Sequence, residues 1–458
     1  MTELSALFHR AAEIAAQHRE GLPQAPVHAA EPMTWLHRLD RTMRDDPTPA
    51  DEVLSELVDS FTPGLMATAG PRFFGFVIGG ALPAATAADL VAVGWDQCAF
   101  NAVLSPAAAA AEQVAASWLL RVLGLPPGCS VGFVTGAQGA NTTCLATARH
   151  HVLAEAGWDV ERDGLGGAPV VRVVAGAERH ATIDRALRLL GFGSAVLEPV
   201  AAKADGAIDV GRLDAVLASG RAGPTIVCVQ AGNVNTGACD DLLSACEVAH
   251  HHGAWVHVDG AFGLWAAASP ATASLVAGLD LADSWSVDGH KWLNVPYDVG
   301  FAICSRPQVH ADALHYTAAY LTGQERPQPV LGDLVPESSR RARGFTVWAA
   351  LRELGRQGVA DLVERSCTLA RRFADGLAAG GAEVVNEVVL NQVLASFGDD
   401  ERNDAVVEAV QREGTCWLGG TTWRGRRLMR ISVSGWSTTE ADVDRSVEAV
   451  LRVAGRTG

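Results

Sequence analysis

The sequence predicts an α/β protein: a mainly parallel, doubly wound sheet, preceded by a helical segment and followed by a small α+β domain. Three observations carry this. Short apolar or β-branched runs recur through the middle of the chain, at 131–134, 170–174, 225–229, 255–258, 284–287 and 299–304. Helix-patterned stretches at 142–153, 183–190 and 242–252 fall between several of them. Strands that are apolar along their whole length, alternating with helices, belong to a sheet covered on both faces.

Taken in order, residues 1–70 read as helices separated by proline-bearing turns at 21–26, 46–49 and 62–64. Such a helix hairpin has little core of its own and needs another surface, assigned here to a partner subunit. Residues 71–345 form the large domain. Within it, 306–343 is rich in Pro, Gly and charge and longer than an ordinary connection; loops of that length are usually functional or mobile. From 346 to 458, helices at 347–354 and 362–377 lead to strands at 384–385, 393–397 and 429–433 and a helix at 404–412, the pattern of a small α+β domain.

Composition narrows the function classes. A chain of 458 residues allows two or three structural units, and 48% apolar with 19% charged residues excludes disorder. The net charge of -16, from 36 basic against 52 acidic residues, disfavours nucleic acid or anionic membrane as a partner. Charges every few residues at the N-terminus argue against a signal peptide. The Ala-rich stretches 81–93 and 107–123 are broken by Asp89, Glu112 and Arg121, so neither reads as a membrane span. Nine scattered cysteines without a C-x-x-C pair read as free thiols in a reducing cytoplasm. His250, His251 and His252 sit side by side at a helix end and do not converge on one ion, so no metal is expected.

Four segments carry chemistry. Residues 131–141 (VGFVTGAQGAN) read as a strand, a glycine-bearing turn and a helix start, whose free N–H groups bind phosphate. Residues 255–261 (WVHVDGA) place Asp259 at the carboxyl end of a buried strand, where ligands bind in open sheets. Beside a pyridine ring such a carboxylate keeps the ring nitrogen protonated; the position equally suits a helix N-cap. In 283–293 (DSWSVDGHKWL), Lys291 ends a β-branched strand among apolar neighbours, which favours its neutral, nucleophilic form. His180, opening a helix after the 170–174 strand, is placed to stack on a flat cofactor, although a histidine there also serves as a cap or core residue. Lys291 follows Asp259 by 32 residues, close to one βαβ unit, so both can meet at one sheet edge.

With these segments in this order, the chain resembles the group II pyridoxal-phosphate decarboxylases of fold type I, which act on aromatic amino acids, glutamate, histidine and related substrates. The similar stretches are 71–76 (PRFFGF), Ser105 and Pro106 with Glu112, the 135–141 turn, 178–180 (ERH), 232–238 (GNVNTGA), 256–261 (VHVDGA), 288–293 (DGHKWL) and 339–343 (SRRAR). They run through nearly the whole chain. The resemblance implies a seven-stranded central sheet with helices on both faces, pyridoxal 5'-phosphate as cofactor, and a homodimer with active sites at the subunit interface. It makes Lys291 the Schiff-base lysine and Asp259 the pyridinium partner, with His180 on one ring face and Ala261 on the other. Thr135, Gly136, Ala137, Gln138 and His290 would surround the phosphate, with Asp288 nearby, and Asn233 joins the cofactor-binding set. The family also places a catalytic tyrosine on a mobile loop reaching the neighbouring subunit. Of tyrosines 297, 316 and 320, Tyr320 matches that position best, 29 residues after Lys291.

The chain departs from the family pattern in places. Gln138 and Gly139 stand where the turn commonly has a hydroxyl and a carboxylate, which moves phosphate contacts toward the backbone. The stretch 75–80 (GFVIGG) lacks the Pro-Thr pair of aromatic-specific members, and Asn233 and Val234 replace two threonines. The resemblance implies decarboxylation of an L-amino acid to the amine and carbon dioxide. Val77, Ile78 and Phe100 favour an aromatic or otherwise hydrophobic substrate. Arg343 is a candidate for the substrate carboxylate. The alternatives are decarboxylation coupled to oxidative deamination, transamination or carbon–carbon lysis on the same cofactor, and, from another class, a non-catalytic scaffold.

Overall fold

The computed structural model describes residues 2–29, 39, 42–220, 223–316 and 331–457. Helices α1 (Glu3–Gly21), α2 (Ala50–Phe61), α3 (Pro83–Trp95) and α4 (Pro106–Val122) come first. Pro83 and Pro106 start their helices, where a missing N–H costs nothing and a fixed φ is already helical. The alternating run follows: β1 (Ser130–Val134), α5 (Ala137–Glu155), α6 (Val160–Asp163), β2 (Arg172–Gly176), α7 (Ala181–Leu189), β3 (Leu197–Val200), α8 (Val210–Ser219), β4 (Thr225–Gln230), α9 (Leu242–His251), β5 (Trp255–Asp259), β6 (Ser284–Asp288), β7 (Gly300–Cys304) and α10 (Pro307–Asp312). Then come α11 (Gly344–Ala379), β8 (Glu383–Val384), β9 (Gln392–Ser396), α12 (Asp400–Glu413), β10 (Gly419–Trp423), β11 (Arg426–Ser432) and α13 (Glu440–Ala454).

The chain divides into two compact units. The larger, residues 81–368 and 386–392, holds a seven-stranded sheet in the order β1-β7-β6-β5-β4-β2-β3. β3, β2, β4, β5 and β6 run parallel; β7 runs antiparallel to both β6 and β1. The mainly parallel sheet is as predicted. Every residue of β1, β5, β6 and β7 is buried, which is why these runs read as continuously apolar. β3 is absent from the sequence prediction: it is a short, partly exposed edge strand containing Glu198 and Pro199, both poor strand formers. β2 starts at Arg172 rather than at 170, because Val170 is exposed and pairing with β4 begins at Arg172 opposite Thr225.

The smaller unit, residues 1–80, 369–385 and 393–458, contains the sheet β10-β11-β9-β8. Its segments are tied together by Arg72, buried at 2% exposure, which donates to the carbonyls of Pro23, Ala25 and Thr415. Gly75 permits the stack of Phe73 on Trp417, since a Cβ there would overlap the indole. α11 is interrupted at Gly355, whose φ of 60° suits glycine, and this matches the two helices expected over that stretch.

Candidate active site

The site is assembled at the carboxyl ends of β5 and β6, in the larger unit. Side chains alternate along a strand, so Trp255, His257 and Asp259 share one face of β5. The register sets His257 opposite Ser284 and Asp259 opposite Ser286 on β6. Asp259 is 4% exposed. Its Oδ2 accepts from Asn141 Nδ2 (3.2 Å) and Thr182 Oγ1 (3.4 Å), and its Oδ1 from Ser286 Oγ (3.4 Å) and the Ala261 N–H (3.3 Å). All four donors are neutral, so the carboxylate is buried, held in place and without a cationic partner among them.

Asp288, at the end of β6, has different company. It accepts the Ala137 N–H at the start of α5 (2.5 Å) and pairs with Lys291 Nζ (3.0 Å). The His290 ring receives the Val299 N–H on Nδ1 (3.2 Å), which leaves its proton on Nε2, 3.5 Å from Asp288 Oδ1. Burial pushes this imidazole's pKa down, against the opposing pull of Asp288, so His290 is a neutral donor. Gly136 is required here because a Cβ would lie 2.8 Å from His290 Cε1 and 3.1 Å from Asp288 Oδ1. Without a side chain, Gly136 cannot cap α5 itself; Asp288 takes the Ala137 N–H, and the N–H groups of Gln138 and Gly139 in the same first turn remain for an anion.

His180 is the N-cap of α7, with Nδ1 accepting from the Thr182 N–H and lying 2.9 Å from Thr182 Oγ1. Thr182 therefore joins His180 to Asp259. Gln138 turns toward α7 and donates to the Thr182 carbonyl (3.3 Å). The Thr135 hydroxyl lies by Gly139. Ala261, partly buried, accepts the Asp288 N–H on its carbonyl, which ties the two strand ends together. Asn233 shapes its own turn, accepting from the N–H groups of Asn235 and Thr236, and donates to the Glu178 carbonyl two residues before His180. Arg343 is held by Asp298, through Nε to its carbonyl (2.9 Å) and an ion pair (3.0 Å), in the loop after Lys291. Tyr320 lies outside the described residues.

Sequence reasoning brought Thr135, Gly136, Ala137, Gln138, His180, Asp259, Ala261, Asp288, His290 and Lys291 to one sheet edge, and the structure brings them together. It missed Thr182, Asn141, His257, Ser284 and Ser286. For His257, Ser284 and Ser286 the only trace is a pattern, not any single residue: polar positions alternating in buried strands, W-x-H-x-D in β5 and S-x-S-x-D in β6. Among the described residues no cluster of three or more His, Cys, Asp or Glu side chains is arranged to hold a metal ion. No described helix is long and apolar enough to cross a membrane.

Chemically, this edge offers helix N–H groups, an amine and a buried carboxylate with neutral donors. The chain is similar to known proteins. Residues 32–397 match the pyridoxal-dependent decarboxylase conserved domain. The chain is 27% identical to tryptophan decarboxylase 1 of Oryza sativa subsp. japonica, over 98% of this chain and 93% of the relative. It is 26% identical to an aromatic-L-amino-acid decarboxylase of Bacillus atrophaeus, over 91% and 84%. It is 27% identical to 4-hydroxyphenylacetaldehyde synthase of Rhodiola rosea, over 88% and 84%. The crystal structure of Oryza sativa TDC with PLP and tryptamine superposes with a TM-score of 0.91 at 25% identity, covering 99% of this chain and 98% of the other.

Proposed function

We propose that this chain, which belongs to the pyridoxal-dependent decarboxylase family, releases carbon dioxide from an aromatic L-amino acid and returns the amine. One observation carries this reading: a buried carboxylate with only neutral donors, Asp259, stands at the strand end next to the one that presents Lys291. Pyridoxal phosphate fits these residues, since it brings a cationic ring nitrogen, an aldehyde and a phosphate. When bound, it supplies an electron sink for the pair left behind by the departing carboxylate.

The chain's own residues divide the remaining work. Asp259 would pair with the cofactor's ring nitrogen, and His180 and Ala261 would hold its ring. Thr135, Gly136, Ala137, Gln138 and His290 hold the phosphate, with Asn233 supporting the segment that leads to His180. Lys291 would hold the cofactor through its amine, and Asp288 Oδ2, 3.0 Å from Nζ, is the adjacent acceptor for the lysine's proton. His180 is fixed by Thr182, whose Oγ1 lies 2.9 Å and whose N lies 3.3 Å from its Nδ1. Tyr320 or His180 would supply the proton that the product amine carries on its α-carbon. Orientation of the substrate selects the bond that breaks, because the cofactor weakens all bonds at that carbon.

The assembly proposed is a cytoplasmic homodimer with the segment 1–70 packed on the partner. Leu4, Phe8, Val53, Leu57 and Phe61 on α1 and α2 are exposed and need cover. Sedimentation at nanomolar concentration tests it; a fully active monomer overturns it.

The function is tested by offering each common L-amino acid with pyridoxal phosphate and measuring carbon dioxide and the organic product. An aromatic substrate giving stoichiometric amine is expected; no carbon dioxide from any of them overturns the reading. A second reading, decarboxylation coupled to oxidative deamination, has its support in the Rhodiola rosea relative. It predicts aldehyde, ammonia and peroxide in place of amine.

A further inference from the structure

We propose that Asn141 and His257 are positioning residues for Asp259, forming the end of a one-way hydrogen-bond chain that starts at the Trp255 indole. The proposal rests on the reading of Asp259 as partner of the cofactor's ring nitrogen. The links are Trp255 Nε1 to Ser284 Oγ (3.0 Å), Ser284 Oγ to His257 Nδ1 (3.0 Å), His257 Nε2 to Asn141 Oδ1 (2.9 Å) and Asn141 Nδ2 to Asp259 Oδ2 (3.2 Å). Ser284, His257 and Asn141 are fully buried, and Trp255 is 3% exposed.

The direction of the chain follows from its two ends. The indole is a donor only, and a carboxylate is an acceptor only. Asn141 must therefore turn its amide hydrogens to Asp259, which leaves its oxygen facing His257. A neutral imidazole has one N–H, which must then sit on Nε2, so Nδ1 accepts from the Ser284 hydroxyl. That hydroxyl in turn has a lone pair for Trp255. Burial lowers the His257 pKa to about 4, against the pull of Asp259, which keeps the single-proton form. With the opposite tautomer, the Asn141 oxygen would face the carboxylate. The second amide hydrogen of Asn141 points to Thr182 Oγ1 (3.1 Å), so one side chain orients Asp259 and, through Thr182, the His180 cap. The chain crosses from the amino to the carboxyl end of β5 and joins three elements that no local motif connects.

Other ionisable groups face Asp259 as well. Cys144 on α5 and Cys228 on β4 interact with it, and burial pushes both thiols up. Glu178, Arg179 and Asp240 line the narrow cleft beside it. Burial raises Asp240 to about 6, opposed by the N–H groups of Ile208 and Gln230. None of these is altered by substituting Asn141 or Ser284, so a change of pH dependence reports on the chain itself.

The experiment compares the holoenzyme with Asn141→Leu and Ser284→Ala, reading the visible band of the lysine-bound cofactor against pH and the dissociation constant for pyridoxal phosphate. Removing a donor destabilises the Asp259 anion, so its carboxyl titrates at higher pH. The acid-side midpoint should rise by about one pH unit in Asn141→Leu, with about tenfold weaker cofactor binding. Ser284→Ala, which frees the His257 tautomer, should shift the midpoint in the same direction by less. A purely structural role lowers thermal stability and leaves the midpoint alone, and that result overturns the proposal. If Asn141→Leu fails to fold, Ser284→Ala decides by the same readout. Absence of any visible band in the unaltered chain refutes the cofactor reading itself, a separate outcome.

Discussion

Asp259 and Asp288 stand at the ends of adjacent strands and are about equally buried, at 4% and 2% exposure, yet their surroundings are opposite. Asp288 takes a backbone N–H at 2.5 Å and the Lys291 ammonium at 3.0 Å, with the His290 N–H nearby. Asp259 takes an amide, two hydroxyls and a backbone N–H, all at 3.2–3.4 Å. Short, charge-assisted bonds commit the first carboxylate to the protein's own architecture. None of the four donors to the second carries a positive charge, and a buried carboxylate without a cationic hydrogen-bond partner is costly unless a ligand brings one. Burial alone therefore does not single out a ligand-binding carboxylate; the partners do.

The sharpest way to break this contrast is to remove the amine that separates the two sites. Lys291→Ala should abolish the visible band with pyridoxal phosphate and lower kcat/KM by at least about a thousandfold. Retention of the band would place the cofactor on another lysine. Next, Asp259→Asn should lower kcat/KM by roughly a hundredfold, as expected for losing one desolvated ionic partner. In urea denaturation of the cofactor-free protein, the same substitution should leave stability unchanged or raise it, since it removes a buried charge without a cationic hydrogen-bond partner. Asp288→Asn should do the reverse. It leaves Lys291 unpaired, so the unfolding free energy should fall by about 2–3 kcal/mol, with a smaller effect on turnover than Asp259→Asn. Equal stability losses in the two variants would dissolve the distinction.

The last prediction concerns pH. Burial holds His257 and His310 down at about 4, against roughly 6.5 in an unfolded chain. Folded values below unfolded ones mean that the unfolded state takes up protons first as pH falls, so stability present above about 6.5 is lost toward 4. Asp240, raised to about 6, opposes this over part of the same range. The two histidines outweigh it, and a net loss on the order of 2 kcal/mol between pH 7 and pH 5 is expected in urea titrations. A stability that rises on acidification would contradict the neutral His257 on which the hydrogen-bond chain depends.

Much of the fold was legible because its physical cause is local. Six of the seven central strands appear as apolar runs, since each is buried on both faces, whereas β3, with its proline and glutamate, has no such signature. Lys291, Asp259, His180 and the 135–138 turn were legible because their residue types and order follow a family pattern. Thr182, Asn141, His257 and Ser284 were not, because each reads singly as a capping or core polar residue. Arg343 was read as a candidate for a substrate carboxylate, and in the folded chain it pairs with Asp298. That pairing joins positions 45 residues apart.

The sequence by itself determined which edge of the sheet carries the chemistry and which lysine and aspartate stand there, because strand period and strand end are properties of neighbouring residues. Only the tertiary structure decided which hydrogen-bond partners each of the two buried aspartates has, neutral donors for Asp259 and the Lys291 ammonium for Asp288. Hydrogen-bond partners are set by contacts between segments distant in sequence. Asn141 meets His257 across 116 positions, and Ala137 meets Asp288 across 151.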